Sequence, residues 1–202
     1  MPRAPQPVTA LPTNRIEALH DAFFPIVMTL LVLEFHVPEG MDGHLAEALT
    51  SLAPNIFNYF LTFVVLGVYW IGQHNQFHYI ERTDRFLLWI NVVFLMMVAL
   101  LPFSTALLSR YVDEFLAHAV YGLNIALIGV VASWHWWYAT VHHRLTDHDL
   151  TKGLINAFQR RILIAPLLSV IGTLAWFLHP FLSLAVFLAI PVFYIWPGRV
   201  DV

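Results

Sequence analysis

The chain contains five long windows that hold no Asp, Glu, Lys or Arg side chain. They cover residues 54–77, 86–108, 115–139, 162–178 and 181–196. A helix rises about 1.5 Å per residue, so roughly 20 apolar residues cross about 30 Å of hydrocarbon. Each window is long enough, or nearly so, to span a membrane. The last two are predicted to be separate helices, because His179 and Pro180 lie between them and proline interrupts a helix.

The composition supports a membrane protein and excludes several other classes. Of the 202 residues, 59% are hydrophobic and 11% are charged, whereas soluble domains have about 45–50% and about 25%. A net charge of -3 with few basic residues argues against a nucleic-acid partner. The absence of cysteine excludes disulfides and thiolate chemistry. No serine-nucleophile or HExxH motif occurs, so no enzymatic activity is expected. We predict an all-α integral membrane protein.

The segment from Arg15 to Val37 is the least conventional of the predicted helices. Its charged residues are Arg15, Glu17, Asp21 and Glu34. The uncharged stretch is only residues 22–33, which is too short to span by hydropathy alone. Ionisable groups within a bilayer are costly and normally face protein or water. Asp21 is therefore expected to serve the working mechanism or assembly, with a simple helix-end position as the alternative.

Basic residues are distributed unevenly between the connecting segments. If this first segment crosses the membrane from a cytoplasmic amino terminus, only Arg110 lies outside. The cytoplasmic residues are then Arg3, Arg15, Arg82, Arg85, Arg144, Lys152, Arg160, Arg161 and Arg199. Cytoplasmic loops are enriched in Lys and Arg. The bias predicts six transmembrane helices with both termini cytoplasmic, in a domain of residues 15–199 that follows a disordered tail of residues 1–14.

Helical geometry divides the first helix into two faces. At about 100° per residue, an aliphatic stripe falls within about 40°. Its members are Arg15, Leu19, Ala22, Ile26, Leu30, Leu33 and Val37. Thr29 lies about 60° from this stripe and Asp21 about 140° from it. On the residues alone, such a stripe more often faces lipid or a protein core than a pore. The acidic face is expected to meet polar groups on neighbouring helices.

The inner end of the second span is polar and rich in histidine. Trp70, His74 and His78 recur at four-residue spacing and therefore share one helix face. Two histidines at this spacing suit a metal or haem ligand set, although a structural polar patch near the interface is the favoured interpretation. In the third span, Asn91 is an intramembrane amide that needs hydrogen-bond partners.

On these residues the chain resembles the potassium channel family of transmembrane protein 175. The family's first helix carries an Arg-x-x-x-Phe-Ser-Asp motif, followed by a run rich in Ile, Thr and Leu. The matching residues are Arg15 and Asp21 in the motif, Ile26, Thr29, Leu30 and Leu33 in the run, and Trp70, His74 and Asn91 in the next two spans. Leu19 and His20 replace the motif's Phe and Ser, and Pro25 stands where a small residue is usual.

The resemblance implies a homotetramer of six-helix subunits whose first helices line a central pore. It places a hydrophobic constriction at Ile26, Leu30 and Leu33, with Thr29 among the pore-lining residues. It also implies a gating or assembly network of Arg15, Asp21, Trp70, His74 and Asn91. The expected function is a potassium-permeable, weakly selective cation channel of the cell's inner (plasma) membrane, in contact with membrane lipid. No cofactor or metal is expected.

Two other function classes are compatible with the residues. A proton-coupled membrane transporter would use Asp21 and the histidines and would show saturable flux tied to a proton gradient. A haem or metal redox protein would use His74 and His78 and would be coloured when purified. The channel is the leading hypothesis, and the transporter is the alternative to it.

Overall fold

Helices make up nearly all of the structure, a computed structural model that describes residues 11–34, 45–147 and 149–196. In chain order the elements are β1 (Leu11–Pro12), α1 (Asn14–Leu30), α2 (Leu45–Ser51), α3 (Ala53–Tyr79), β2 (Arg82–Thr83), α4 (Arg85–Ala99), α5 (Leu101–Arg110), α6 (Phe115–Thr140), α7 (Lys152–Ala175) and α8 (Pro180–Ile195). Short 3₁₀ turns at Leu31–Glu34 and Val141–His143 extend α1 and α6. The predicted all-α architecture is confirmed.

Among the described residues, five segments are long and apolar enough to cross a membrane. They are Asn14–Leu33, Asn55–Tyr79, Arg85–Arg110, Phe115–His143 and Lys152–Ala175. The first of these segments was predicted to be too short to span by hydropathy alone, and that prediction was wrong. Its apolar residues outweigh the charged side chains of Glu17 and Asp21. The sixth predicted span corresponds to α8, which has 16 residues and is therefore about 24 Å long.

Two interruptions divide the apolar segments, and the second of them was predicted. The third span breaks at Leu100, between α4 and α5, and Pro102 lies in the first turn of α5, where its missing N–H costs nothing. Between α7 and α8, His179 caps the start of α8. Its Nδ1 accepts a hydrogen bond from the Phe181 N–H at 3.2 Å. The prediction of two separate helices here is confirmed.

Small residues allow the carboxyl-terminal helices to pack closely. A Cβ added to Gly129 of α6 would lie 2.6 Å from Cδ of Pro166 in α7. A Cβ added to Gly172 of α7 would lie 2.6 Å from Cε1 of Phe187 in α8. Both distances are shorter than any ordinary carbon contact. The helices α6, α7 and α8 therefore pack closely against one another. Helix α1 packs against α3 and α4.

The amino-terminal end of α1 is tied to two loops by short backbone pairings. Leu11 and Pro12 pair antiparallel with Thr83 and Arg82, and Ile80 forms a bridge with Thr146. The last residues of the segment predicted to be a disordered tail are thus held in a strand. Residues 1–10, together with Val37 and Arg199, lie outside the described residues.

Candidate pore helix and its polar network

One face of α1 packs inside the subunit and the opposite face is uncovered. The buried side chains are Ile16, His20, Phe24, Val27 and Leu31. The aliphatic stripe lies on the other side, where Ile26 is 58%, Leu30 53% and Leu33 66% exposed. The hydrophobic effect opposes exposure of such a patch to water. In a membrane protein this face must therefore be covered by lipid or by another subunit, or it must line an apolar passage.

Thr29 lies on the exposed side of α1, close to the stripe. Its hydroxyl donates a hydrogen bond to the carbonyl of Ile26 at 2.9 Å. A threonine hydroxyl that is bonded to its own helix keeps its lone pairs available as acceptors. Thr29 consequently adds a weakly polar group to an otherwise aliphatic surface.

The structure brings together Asp21, Trp70 and His74. The indole Nε1–H of Trp70 donates to Oδ1 of Asp21 at 3.0 Å, which links α1 to α3. The rings of Trp70 and His74 lie 5.9 Å apart on consecutive turns of α3. These residues line a polar groove of about 190 Å³, hereafter the inner groove, together with Glu17, His20, Gln73, Phe77 and His78. The acidic face of α1 thus meets α3, on the side away from the aliphatic stripe.

Asn91 contacts α1 through a residue that departs from the family motif. His20 Nε2 lies 3.0 Å from Oδ1 of Asn91, and the amide nitrogen of Asn91 donates to the carbonyl of Leu87 at 2.9 Å. Because that nitrogen is already a donor, the Asn91 oxygen accepts and His20 donates through Nε2. Phe77 and Phe94 enclose the imidazole, at centroid distances of 5.3 and 5.9 Å.

Arg15 is not joined to the rest of the predicted network. Its side chain is exposed at the start of α1, and no ion pair connects it to Asp21 in the part of the chain that the structure describes. Asn91 is hydrogen-bonded to His20 and does not contact the Asp21–Trp70 pair through a hydrogen bond. The predicted network is therefore divided in the single subunit into two separate contacts of α1.

The network predicted from the sequence did not include His20 or Gln73. His20 is only 3% exposed and Gln73 only 2%. The signal for His20 was present, since it replaces a motif serine, but its partner Asn91 lies 71 positions away in the chain. Gln73 stands in a polar run on α3, and its burial depends on how α3 packs against its neighbours.

The histidines of α3 are exposed at the edge of the inner groove. His74 and His78 both have accessible side chains. Among residues 11–34, 45–147 and 149–196, no group of three or more His, Cys, Asp or Glu side chains lies close enough to hold a metal ion.

Comparison with known proteins establishes the family. Residues 15–102 match the family described as endosomal/lysosomal potassium channel TMEM175. A protein of Streptomyces collinus that is named a potassium channel is 33% identical over 160 residues, which cover 77% of this chain and 78% of that protein. The chain belongs to the TMEM175 family. The resemblance stated from the residues is therefore confirmed.

Other TMEM175 proteins agree with this assignment in fold and in name. A crystal structure described as a lysosomal potassium-selective channel TMEM175 homolog, from Chamaesiphon minutus, matches with a TM-score of 0.79 at 28% identity. The match covers 91% of this chain and 96% of that one. A Gallus gallus relative named endosomal/lysosomal proton channel TMEM175 is 29% identical over 163 residues, 73% of this chain and 32% of its own length. TMEM175 is a family of ion channels and not of enzymes, so this chain is a multi-pass membrane protein of a channel family.

Proposed function

We propose that the protein is a potassium-permeable, weakly selective cation channel in which four subunits place α1 around a central pore. The observation that carries the proposal is the uncovered aliphatic stripe of Ile26, Leu30 and Leu33 on that helix. The bacterial relatives named potassium channels support the choice of ion.

The two faces of α1 suit this role. Asp21 is bonded to Trp70 on the side of α3, so its charge does not reach the stripe. A ring of apolar side chains gates by losing and regaining its water, without a charged group in the narrowest part. Thr29, one turn from Ile26 and Leu33, supplies hydroxyl oxygens to which a partly dehydrated cation can bind. Selectivity that rests on such oxygens is weak compared with a filter of backbone carbonyls.

The membrane arrangement proposed with this pore has six spans and two cytoplasmic termini. In it α8 is the sixth span, and its apolar side chains cross a locally thin region of the bilayer. The excess of Lys and Arg on one side supports this orientation in a plasma membrane. We assign Arg15, Asp21, Trp70, His74 and Asn91 to gating or assembly. Asp21 and Trp70 link α1 to α3, and Asn91 links α4 to α1 through His20. Arg15 is assigned by its match to the family motif, and His74 by its place beside Trp70.

Proton permeation is the second candidate, supported by the Gallus gallus relative that is named a proton channel. A channel and a proton-coupled transporter differ in kinetics, because channel flux does not saturate at low ion concentration and does not require a proton gradient. Flux of potassium, sodium and protons from liposomes that contain the purified protein distinguishes these cases. The proposal expects potassium flux above sodium flux without an imposed proton gradient.

The pore assignment is tested by the same flux measurement on Ile26→Asn. A polar amide in the constriction favours wetting, so potassium flux is expected to rise. The matched control is Ile171→Asn, because Ile171 is an isoleucine of α7 that is 53% exposed, close to the 58% of Ile26. An unchanged flux for Ile26→Asn, or the same rise for both variants, would contradict the assignment.

A further inference from the structure

A cavity between five helices is lined by residues whose buried polar atoms have no hydrogen-bond partner in the described part of the chain. Its walls come from α3, α4, α6, α7 and α8, and its volume is about 70 Å³. Gln73 and Tyr69 of α3 line it. Within the described residues, neither the Oε1 nor the Nε2 of Gln73 has a hydrogen-bond partner, and the same is true of the Tyr69 hydroxyl. All three atoms are buried.

A glutamine that is buried without hydrogen-bond partners is energetically costly, because its amide has lost its contacts with water. The neighbouring amide shows the usual solution, since Gln76 Oε1 lies 2.7 Å from Nδ1 of the buried His135. Gln73 is equally buried, at 2% exposure for each glutamine, and it lines the cavity, but neither polar atom of its amide has a partner among the described residues. The polar groups of the cavity therefore require a ligand that both donates and accepts hydrogen bonds.

The size of the cavity determines which ligand fits. A dry apolar cavity that binds benzene has about 150 Å³, whereas one water needs roughly 10–15 Å³ on the same scale. At about 70 Å³ the cavity is smaller than this benzene-binding cavity and has room for several waters. A lipid chain is unsuitable, because it would leave the Gln73 amide and the Tyr69 hydroxyl unpaired.

Gln73 also connects this cavity to the inner groove. It lines both spaces, and the groove contains Asp21, Glu17 and His74 at the polar face of α1. We propose that the cavity is a hydration site, in which a few ordered waters bind Gln73 and Tyr69 and exchange with the inner groove past the Gln73 side chain. Each subunit then contains an internal water cluster that is separate from the central pore and joins the surroundings of α1 to the core between α3 and α6.

The experiment combines a high-resolution map with melting temperatures of the purified full-length protein. The map is expected to show water density within hydrogen-bond distance of the Gln73 amide and the Tyr69 hydroxyl. Gln73→Leu is expected to lower the melting temperature by about 2–4 °C, because removal of the amide deprives the waters of their main hydrogen-bond partner. Tyr69→Phe is expected to act in the same direction.

A dry cavity predicts the opposite sign, which makes the test decisive. Replacing an unsatisfied amide with leucine removes its desolvation cost and raises the melting temperature. Gln76→Leu is the reference, since it removes a buried amide with a known protein partner and lowers the melting temperature in either case. Absence of water density, or a melting temperature that rises in Gln73→Leu while it falls in Gln76→Leu, would overturn the proposal. Neither readout depends on ion flux, so the result is independent of the proposed channel function.

Discussion

The indole N–H of Trp70 holds the carboxylate of Asp21 against α3 at 3.0 Å. The aliphatic stripe lies about 140° from Asp21 around α1, so the side of the helix that contacts α3 is not the stripe. A hydrogen bond to a charged acceptor is stronger than one between neutral groups. At the scale of single residues, this pair ties the acidic side of α1 to α3, while Phe24 and Val27 are buried inside the subunit.

Removing the donor alone tests the importance of this pair. Trp70→Phe leaves Asp21 without its partner and is expected to destabilise the protein by about 1.5–3 kcal/mol at most, and by less where water replaces the indole. The measurement is the melting temperature in detergent. Trp137→Phe is the control, because Trp137 is an exposed tryptophan of α6. Equal effects of the two substitutions would show that the bond to Asp21 contributes nothing.

The His20–Asn91 pair is the second residue-level link of α1. Both side chains are buried, at 3% and 1% exposure, so removing either one leaves a buried polar atom unpaired at a cost of about 1–3 kcal/mol. The double variant His20→Leu with Asn91→Leu is expected to be less destabilised than the sum of the single variants. A double-mutant cycle of melting temperatures measures this coupling, and simple additivity would mean that the two residues do not interact.

Residue patterns predicted some of these contacts and missed others. Asp21, Trp70 and His74 were placed together by the resemblance of their motifs, and the structure brings them together. The departure at His20 was visible in the sequence, but its bond to Asn91 depends on the packing of α1 against α4. Arg15 was predicted in the same network, yet its side chain is exposed at the first turn of α1.

At the scale of elements, the packing of α6 against α7 depends on a glycine. An added Cβ at Gly129 meets the rigid ring of Pro166 at 2.6 Å, whereas nothing lies within 4 Å of a Cβ added at Gly72 of α3. A proline ring cannot rotate away, so the two helices must separate.

Two alanine substitutions compare these positions directly. Gly129→Ala is expected to destabilise the protein by about 1–3 kcal/mol through overpacking. Gly72→Ala is expected to be neutral or to stabilise by up to about 1 kcal/mol, since alanine favours the helix. Melting temperatures of the two variants provide the comparison, and a loss at Gly72 as large as that at Gly129 would contradict this account of the packing.

The helices themselves were predictable because charge-free windows of span length leave few alternatives in a membrane protein. The ends of the helices were less predictable. Helix α7 begins at Lys152, ten residues before the predicted window, because the Thr151 hydroxyl caps it by accepting a hydrogen bond from the Leu154 N–H. The pairing of Leu11–Pro12 with Arg82–Thr83 is a contact between distant segments that no local pattern indicates.

At the scale of the whole molecule, the uncovered stripe of α1 is the central observation. A subunit with Ile26, Leu30 and Leu33 exposed on one face, and with its polar contacts on another, is suited to assembly around an axis. The family assignment rests on residues spread over most of the chain. The number of subunits and the orientation in the membrane follow from the proposal and not from the single subunit.

The absence of native cysteine allows the pore assignment to be measured directly. Single cysteines at Ile26, Leu30 and Leu33 are placed in the purified protein in liposomes, and potassium flux is followed while a small, water-soluble, cationic thiol reagent is added. If α1 lines the pore, modification at these positions reduces the flux, and Ile171→Cys on α7 leaves it unchanged. Flux that is insensitive to the reagent at all three α1 positions, or equally sensitive at Ile171, would contradict the central claim.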